Sequence, residues 1–208
     1  MSERLHVSGP DRPRGLVLML HGGAEHSQRP VDGRNLSLRR TQMMYAAIEP
    51  RVADAGCALG LLRFTVKGWN ARIGEPAPVA DSRWALAQIR QRYPHVPVVL
   101  LGHSMGARAA VHVADEEQVV GLVGLAPWLP ADEPVDALAG RRVVAAHGRR
   151  DRITSARQTR TFLDRAGQVA TSTEFIDMGR AGHYMLTHVR TWNRTALRAS
   201  LGMLAGFS

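Results

Sequence analysis

Short runs of unbroken apolar residues alternate along this chain with longer stretches in which apolar and polar positions recur at helical spacing. The apolar runs fall at residues 16–20, 58–62, 96–101, 119–125, 143–146 and 173–176. Most lack a polar partner at every second position, as strands covered on both faces do. Only Thr173-Glu174-Phe175-Ile176 alternates, which predicts an edge strand. Helical spacing predicts helices over 38–55, 82–93, 105–114, 155–166 and 188–204. Asp81 or Ser82 is placed to cap the second, and Pro50 is expected to kink or interrupt the first. Gly56 and Gly167 stand where a helix end favours a residue tolerant of positive φ.

Strand and helix in strict alternation predict a parallel sheet with helices packed on its two faces. The expected fold class is therefore α/β, a three-layer sandwich with a mostly parallel sheet of about six strands. With 208 residues the chain has material for one well-buried core, and residues 1–208 are read as a single domain. In such sheets ligands bind beyond the carboxyl ends of the strands. Those positions hold His21-Gly22-Gly23, Gly102-His103-Ser104, Pro127-Trp128, the segment from His147 to Asp151, and His183.

Gly102-His103-Ser104-Met105-Gly106 has the G-x-S-x-G form of a nucleophile elbow, a strained strand-to-helix turn that lifts a serine hydroxyl into a site. A bare match of this kind arises by chance in roughly one chain in ten, so the context decides its weight. Here it follows the β-branched run ending at Leu101 and opens the alanine-rich segment Ala107-Arg108-Ala109-Ala110. The competing reading is an ordinary strand-to-helix turn with a capping serine.

With that motif in place, the chain resembles the α/β-hydrolase superfamily, whose parts follow in the order nucleophile, acid, histidine. His147-Gly148-Arg149-Arg150-Asp151 is similar to the segment that carries the acid, and Ala181-Gly182-His183-Tyr184-Met185 to the terminal histidine loop. The resemblance implies Ser104 as nucleophile, His183 as base and Asp151 as orienting acid. Asp177 and His188 are the substitutes, and Asp151 could instead favour the helix that starts near residue 155. Leu20-His21-Gly22-Gly23-Ala24 resembles the oxyanion-hole loop, which implies the amides of Gly23 and Met105 as donors, with His21 bracing the loop. His21, His103 and His147 all end strands, yet their spacing matches no recognisable metal site.

The family's chemistry would proceed through an acyl-enzyme, with no metal and no organic cofactor. Two departures from its common form stand out. Few residues precede the first strong strand, so little room is left for an opening antiparallel hairpin. Between Pro127 and Arg141, where many relatives insert a cap, this chain has a proline-bounded loop, so the site is expected to be open. Trp128 and the loop 26–35 would supply substrate walls, although Trp128 could equally pack on the core. The resemblance is strongest to compact lidless esterases and dienelactone-hydrolase-like members, with a small-molecule ester or thioester as substrate. A peptidase, an acyltransferase or a noncatalytic binding protein would use the same scaffold.

Composition narrows this picture. No segment is apolar for long enough to span a membrane, and the polar N-terminus has no secretory stretch, so a cytoplasmic protein is expected. Cys57 is the lone cysteine and begins an apolar run, which predicts a buried, structural thiol. The formal charge of +9 is almost wholly arginine, scattered singly or in pairs without interleaved aromatics. That pattern argues against a nucleic-acid partner. Oligomeric state is not legible.

Overall fold

A computed structural model describes residues 4–70 and 74–207. The strands are β1 Leu5–Ser8, β2 Leu16–Leu20, β3 Ala58–Leu62, β4 Val98–His103, β5 Val119–Leu125, β6 Arg142–His147 and β7 Ser172–Asp177. The helices are α1 Leu36–Asp54, α2 Ala77–Arg92, α3 Met105–His112, α4 Ala156–Ala166 and α5 Val189–Leu204. The seven strands form one sheet in the order β1-β3-β2-β4-β5-β6-β7, parallel throughout except for β1, which runs antiparallel to β3. Helices α1 and α5 cover one face, while α2, α3 and α4 cover the other, so the three-layer expectation holds.

The central strands β2, β3 and β4 are buried along their whole length. They lie between helices on both sides, which is why they carry no polar alternation. β7 is an edge, as its alternation predicts, with Ser172, Glu174 and Asp177 exposed. The sheet has one strand more than expected. Leu-His-Val-Ser at the N-terminus is too short to stand out by period, and it is held by a register of Leu5 against Leu62 and Ser8 against Leu59.

Several boundaries moved for physical reasons. α1 runs through Pro50 to Asp54; the proline is exposed, and so is Ala46, whose carbonyl loses its helical partner and can turn to water. α2 starts at Ala77, five residues before the expected position, because Pro78 lies in the first turn, where a missing N–H costs nothing. Asp81 is therefore no cap: its Oδ2 accepts from the Thr65 amide at 2.7 Å and its Oδ1 from Arg4 at 2.6 Å, tying α2 to the strand ends. β4 continues through Gly102 to His103, in register with Leu125 of β5. Gly56 has φ 68° after α1, as expected, whereas Gly167 stays right-handed at φ −60°. Cys57 is fully buried.

Candidate active site

The site is built where β4 meets α3. Ser104 has φ 52° and ψ −116°, a region that L-residues avoid, and its backbone is held there by four bonds. Its amide donates to Leu125 O, and its carbonyl accepts from the amides of Ala107, Arg108 and Trp128 at 3.1–3.3 Å. The flanking glycines are sterically required. A Cβ on Gly102 would meet the Ala107 backbone, and one on Gly106 would meet the Leu20 carbonyl.

The loop after β7 brings His183 over this turn, with Nε2 3.1 Å from Ser104 Oγ. On the other side of the ring, Nδ1 lies 2.8 Å from Asp151 Oδ2. Asp151 leaves the end of β6, and its side chain is only 1% exposed. Its Oδ1 accepts the amides of Ile153 and Thr154, both at 2.8 Å. Its Oδ2 also receives Thr154 Oγ1 at 2.9 Å and faces His147 Nε2 at 3.2 Å. Burial alone would raise this carboxyl's pKa. The bonds from His147, His183 and the two amides outweigh that effect and hold it well below the ordinary carboxylate range. The group is an anion with its geometry fixed from four directions.

Gly23 and Met105, at the ends of two different loops, lie against each other. A Cβ on Gly23 would strike the Met105 side chain and sit 2.5 Å from the Lys67 carbonyl. Among the described residues, neither the Gly23 nor the Met105 amide donates to a protein acceptor. The loop bearing Gly23 is braced on two sides. Ala24 N donates to Lys67 O and Trp69 N to Ala24 O, forming a short parallel bridge. His21 Nδ1 donates to Gly22 O at 2.7 Å while its Nε2 accepts from Phe64 N at 3.1 Å. Desolvation lowers the His21 pKa from 6.5 to about 4, so the ring stays neutral in this tautomer. Beside this loop, His26, Ser27, Gln28 and Asn70 line a cleft of about 420 Å³.

The other sequence candidates fall elsewhere. Asp177 turns outward to Arg149, with contacts of 2.8 and 2.7 Å, and to the Gly179 amide. His188 occupies the exposed N-cap of α5. His103 Nε2 donates to the His183 carbonyl, and His147 Nδ1 meets Thr159 Oγ1. Among the described residues His21, His103 and His147 converge on no common point where a metal could be held. Trp128 is half-buried, and the Arg108 guanidinium lies between its ring (4.5 Å) and that of Trp69 (4.4 Å). Glu133, from the loop expected to leave the site uncapped, is fully buried beneath them, 2.6 Å from both Arg108 Nε and His112 Nε2.

Two participants escaped sequence reasoning. Thr154 Oγ1 lies 3.1 Å from His183 Nδ1 as well as touching Asp151, and its place three residues after an aspartate is the one available signal, that of an Asx-type turn. Arg40 of α1 sends Nε and Nη2 to the Met185 carbonyl at 3.2 and 3.0 Å. Nothing in its local sequence sets it apart from the neighbouring Arg39.

Sheet order, crossover helices and elbow together define the α/β-hydrolase fold. Solved structures bear this out. An α/β serine hydrolase homologue from Coxiella burnetii superposes with a TM-score of 0.70 at 16% identity, covering 94% of this chain and 90% of the other. A lidless α/β serine hydrolase from Xanthomonas campestris gives 0.68 at 15%, covering 95% and 87%. A monoacylglycerol lipase from Paleococcus ferrophilus gives 0.66 at 15%, with both chains covered completely. A family model described as serine aminopeptidase, S33, matches residues 77–146. That stretch holds Ser104 and ends before Asp151 and His183. Among curated protein sequences none matches the chain.

Proposed function

We propose that this chain is a serine hydrolase that cleaves carboxylic esters or thioesters through an acyl-enzyme on Ser104. The observation that carries the reading is the relay from Ser104 Oγ to His183 Nε2 (3.1 Å) and from His183 Nδ1 to Asp151 Oδ2 (2.8 Å), assembled from three separate loops. As Ser104 Oγ attacks a substrate carbonyl, its proton passes to His183 Nε2. Asp151 holds the Nδ1–H tautomer and stabilises the imidazolium that forms. The developing oxyanion is met by the amides of Gly23 and Met105, each worth on the order of 3 kcal/mol where donors are preorganised. Collapse of the tetrahedral species expels the alcohol or thiol, which takes the proton from His183. Water then attacks the acyl-enzyme, giving its proton to the same nitrogen; the second tetrahedral species collapses, the Ser104 oxygen takes that proton from His183, and the acid leaves.

The loop after β5 supports an uncapped site, since Glu133 anchors it to α3. Trp128 contributes a wall whose position is fixed by its amide bond to Ser104 O. The match to a serine aminopeptidase model favours amide hydrolysis as a second reading. Parallel assays on an activated ester and a matching aminoacyl anilide separate the two. The test of the proposal itself is mass spectrometry after a fluorophosphonate. Expected is one adduct on the peptide containing Ser104, abolished in Ser104→Ala and strongly slowed in His183→Ala; an unlabelled wild-type chain, or labelling elsewhere, overturns it.

A further inference from the structure

Among the described residues, the exposed large hydrophobic side chains are Leu36, Met43, Ile153, Tyr184, Leu186 and Val189, with Val169 standing apart from them. These six belong to three segments tied together around His183. On α1, Leu36, Arg40 and Met43 share one helical face. Arg40 bonds the Met185 carbonyl, which places Leu186 beside that face. Tyr184 adjoins His183, its ring 5.4 Å from the imidazole, and Thr154 joins His183 to the segment that carries Ile153. Bonds through Arg40, His183 and Thr154 thus tie together the segments that carry apolar side chains as exposed as Leu36 (79%) and Leu186 (70%). Isolated surface leucines need no explanation, but a set carried by segments tied together around His183 does.

Charge on the same three segments is one-sided. Residues 33–48 and 178–208 contain no acid, and residues 149–163 contain only the buried Asp151. Arg39, Arg152, Arg180 and Arg190 on these segments are exposed. Apolar groups interleaved with cations, spread over three loops and a helix start, fit a fluid anionic surface that can take up each side chain separately.

We propose that this face docks the protein on bilayers bearing anionic head groups, with Leu36, Met43 and Leu186 entering the interface and the arginines held at the phosphates. This is peripheral docking, and no described helix is long and apolar enough to cross a membrane. Docking stands on the surface alone. Its consequence, that the site receives amphiphilic esters with an apolar acyl chain from that layer, rests on the hydrolase reading.

The experiment is co-sedimentation of the full chain with vesicles of phosphatidylcholine alone and of phosphatidylcholine mixed with phosphatidylglycerol. Partition into the anionic vesicles is expected to exceed that into neutral ones at least tenfold and to fall steeply with salt. Leu36→Ser with Met43→Ser should lower it about tenfold. Arg39→Gln with Arg190→Gln should lower it by a similar factor on anionic vesicles only. All four positions are exposed, so an unchanged thermal midpoint is expected in both variants. The proposal is overturned by absence of sedimentation at low salt or by partition indifferent to the serine pair. It is equally overturned by a dimer that the serine pair dissociates, or by tighter binding to duplex DNA than to anionic vesicles. Fluorophosphonate labelling of Ser104 is scored separately: sedimentation without labelling would retain the docking and remove the hydrolase reading.

Discussion

His103 donates from Nε2 to the main-chain carbonyl of His183, 3.0 Å away, so the residue next to the elbow serine holds the loop that bears the imidazole. Burial, with the nearby His183, lowers the His103 pKa from 6.5 to about 3, which keeps the ring neutral and its single N–H committed to this bond. His103→Leu removes the donor while filling much of the space. Its expected effect on ester turnover is a fall in kcat of tenfold or more with KM little changed, because misplacing a base by a fraction of an ångström is felt in the transition state. Steady-state kinetics check it, and an equal rise in KM would count against a positioning role.

Arg40 holds the same loop one turn further on, through two bonds to Met185 O, where the backbone has φ 55°. Lysine carries the charge but cannot present two donors in a fixed fork. Arg40→Lys should lower kcat severalfold and Arg40→Ala more, since the alanine leaves a positive-φ loop without its support. Stopped-flow acylation with an activated ester, read beside the thermal midpoint, separates a displaced loop from a loss of folded protein.

The two candidate acids give a sharp contrast. Asp151 is buried and oriented toward His183 from within the site, while Asp177 pairs with Arg149 at the surface. Asp151→Asn should reduce kcat by about 10⁴, because an amide can favour the wrong imidazole tautomer. Asp177→Asn should stay within about twofold, a surface ion pair being worth little. Reversal of that order in an ester assay would reassign the acid.

Much of this arrangement is legible in the sequence because each part has a local physical signature. Gly102 and Gly106 flank Ser104 because backbone lies where their side chains would be, and any chain making this turn must put glycine there. Apolar strands 16–20, 58–62 and 119–125 keep their expected bounds because burial on both faces leaves no room for polar residues. What the sequence hides is long-range. β1 is fixed by its pairing with β3, Asp81 leaves its expected capping role for a bond to Thr65, and Arg40 meets Met185 across 145 residues. No periodicity records such meetings. Trp128 was readable as a wall or as core; its half-buried ring packs against the core and lies on Arg108, whose buried counter-ion, Glu133, sits in a loop without pattern.

Glu133 has no exposed side-chain surface and serves both Arg108 and His112, while its own carbonyl accepts from Arg165. Glu133→Ala strands the Arg108 guanidinium between two tryptophans without its counter-ion. Removing one partner of a buried pair costs about 3–5 kcal/mol, and the lower end suits this case because Arg108 keeps 16% exposure. Urea unfolding measures the loss. Because Trp128 also stacks on Arg108, its fluorescence should shift in the folded variant as well.

Stability should also depend on pH through the two buried histidines beneath the site. His21 and His103 have folded pKa values of about 4 and about 3, against 6.5 for the free side chain. Between those values the unfolded chain binds protons that the folded chain refuses, so stability rises with pH across this window. Their contribution is complete above about pH 6.5 and drains away as the pH falls through 4 toward 3. At about 1.36 kcal/mol per unit of separation, His21 accounts for about 3 kcal/mol and His103 for about 5 kcal/mol, each over its full span. Asp151, with its carboxyl held below the ordinary range, adds a loss of the same sign at still lower pH. Urea midpoints measured from pH 7 to pH 4 should therefore fall below about pH 6.5, and His103→Leu should flatten the slope from there down to pH 4. A slope indifferent to the substitution would mean that the His103 ring accepts a proton in place and that its bond to the His183 carbonyl does not fix its charge state.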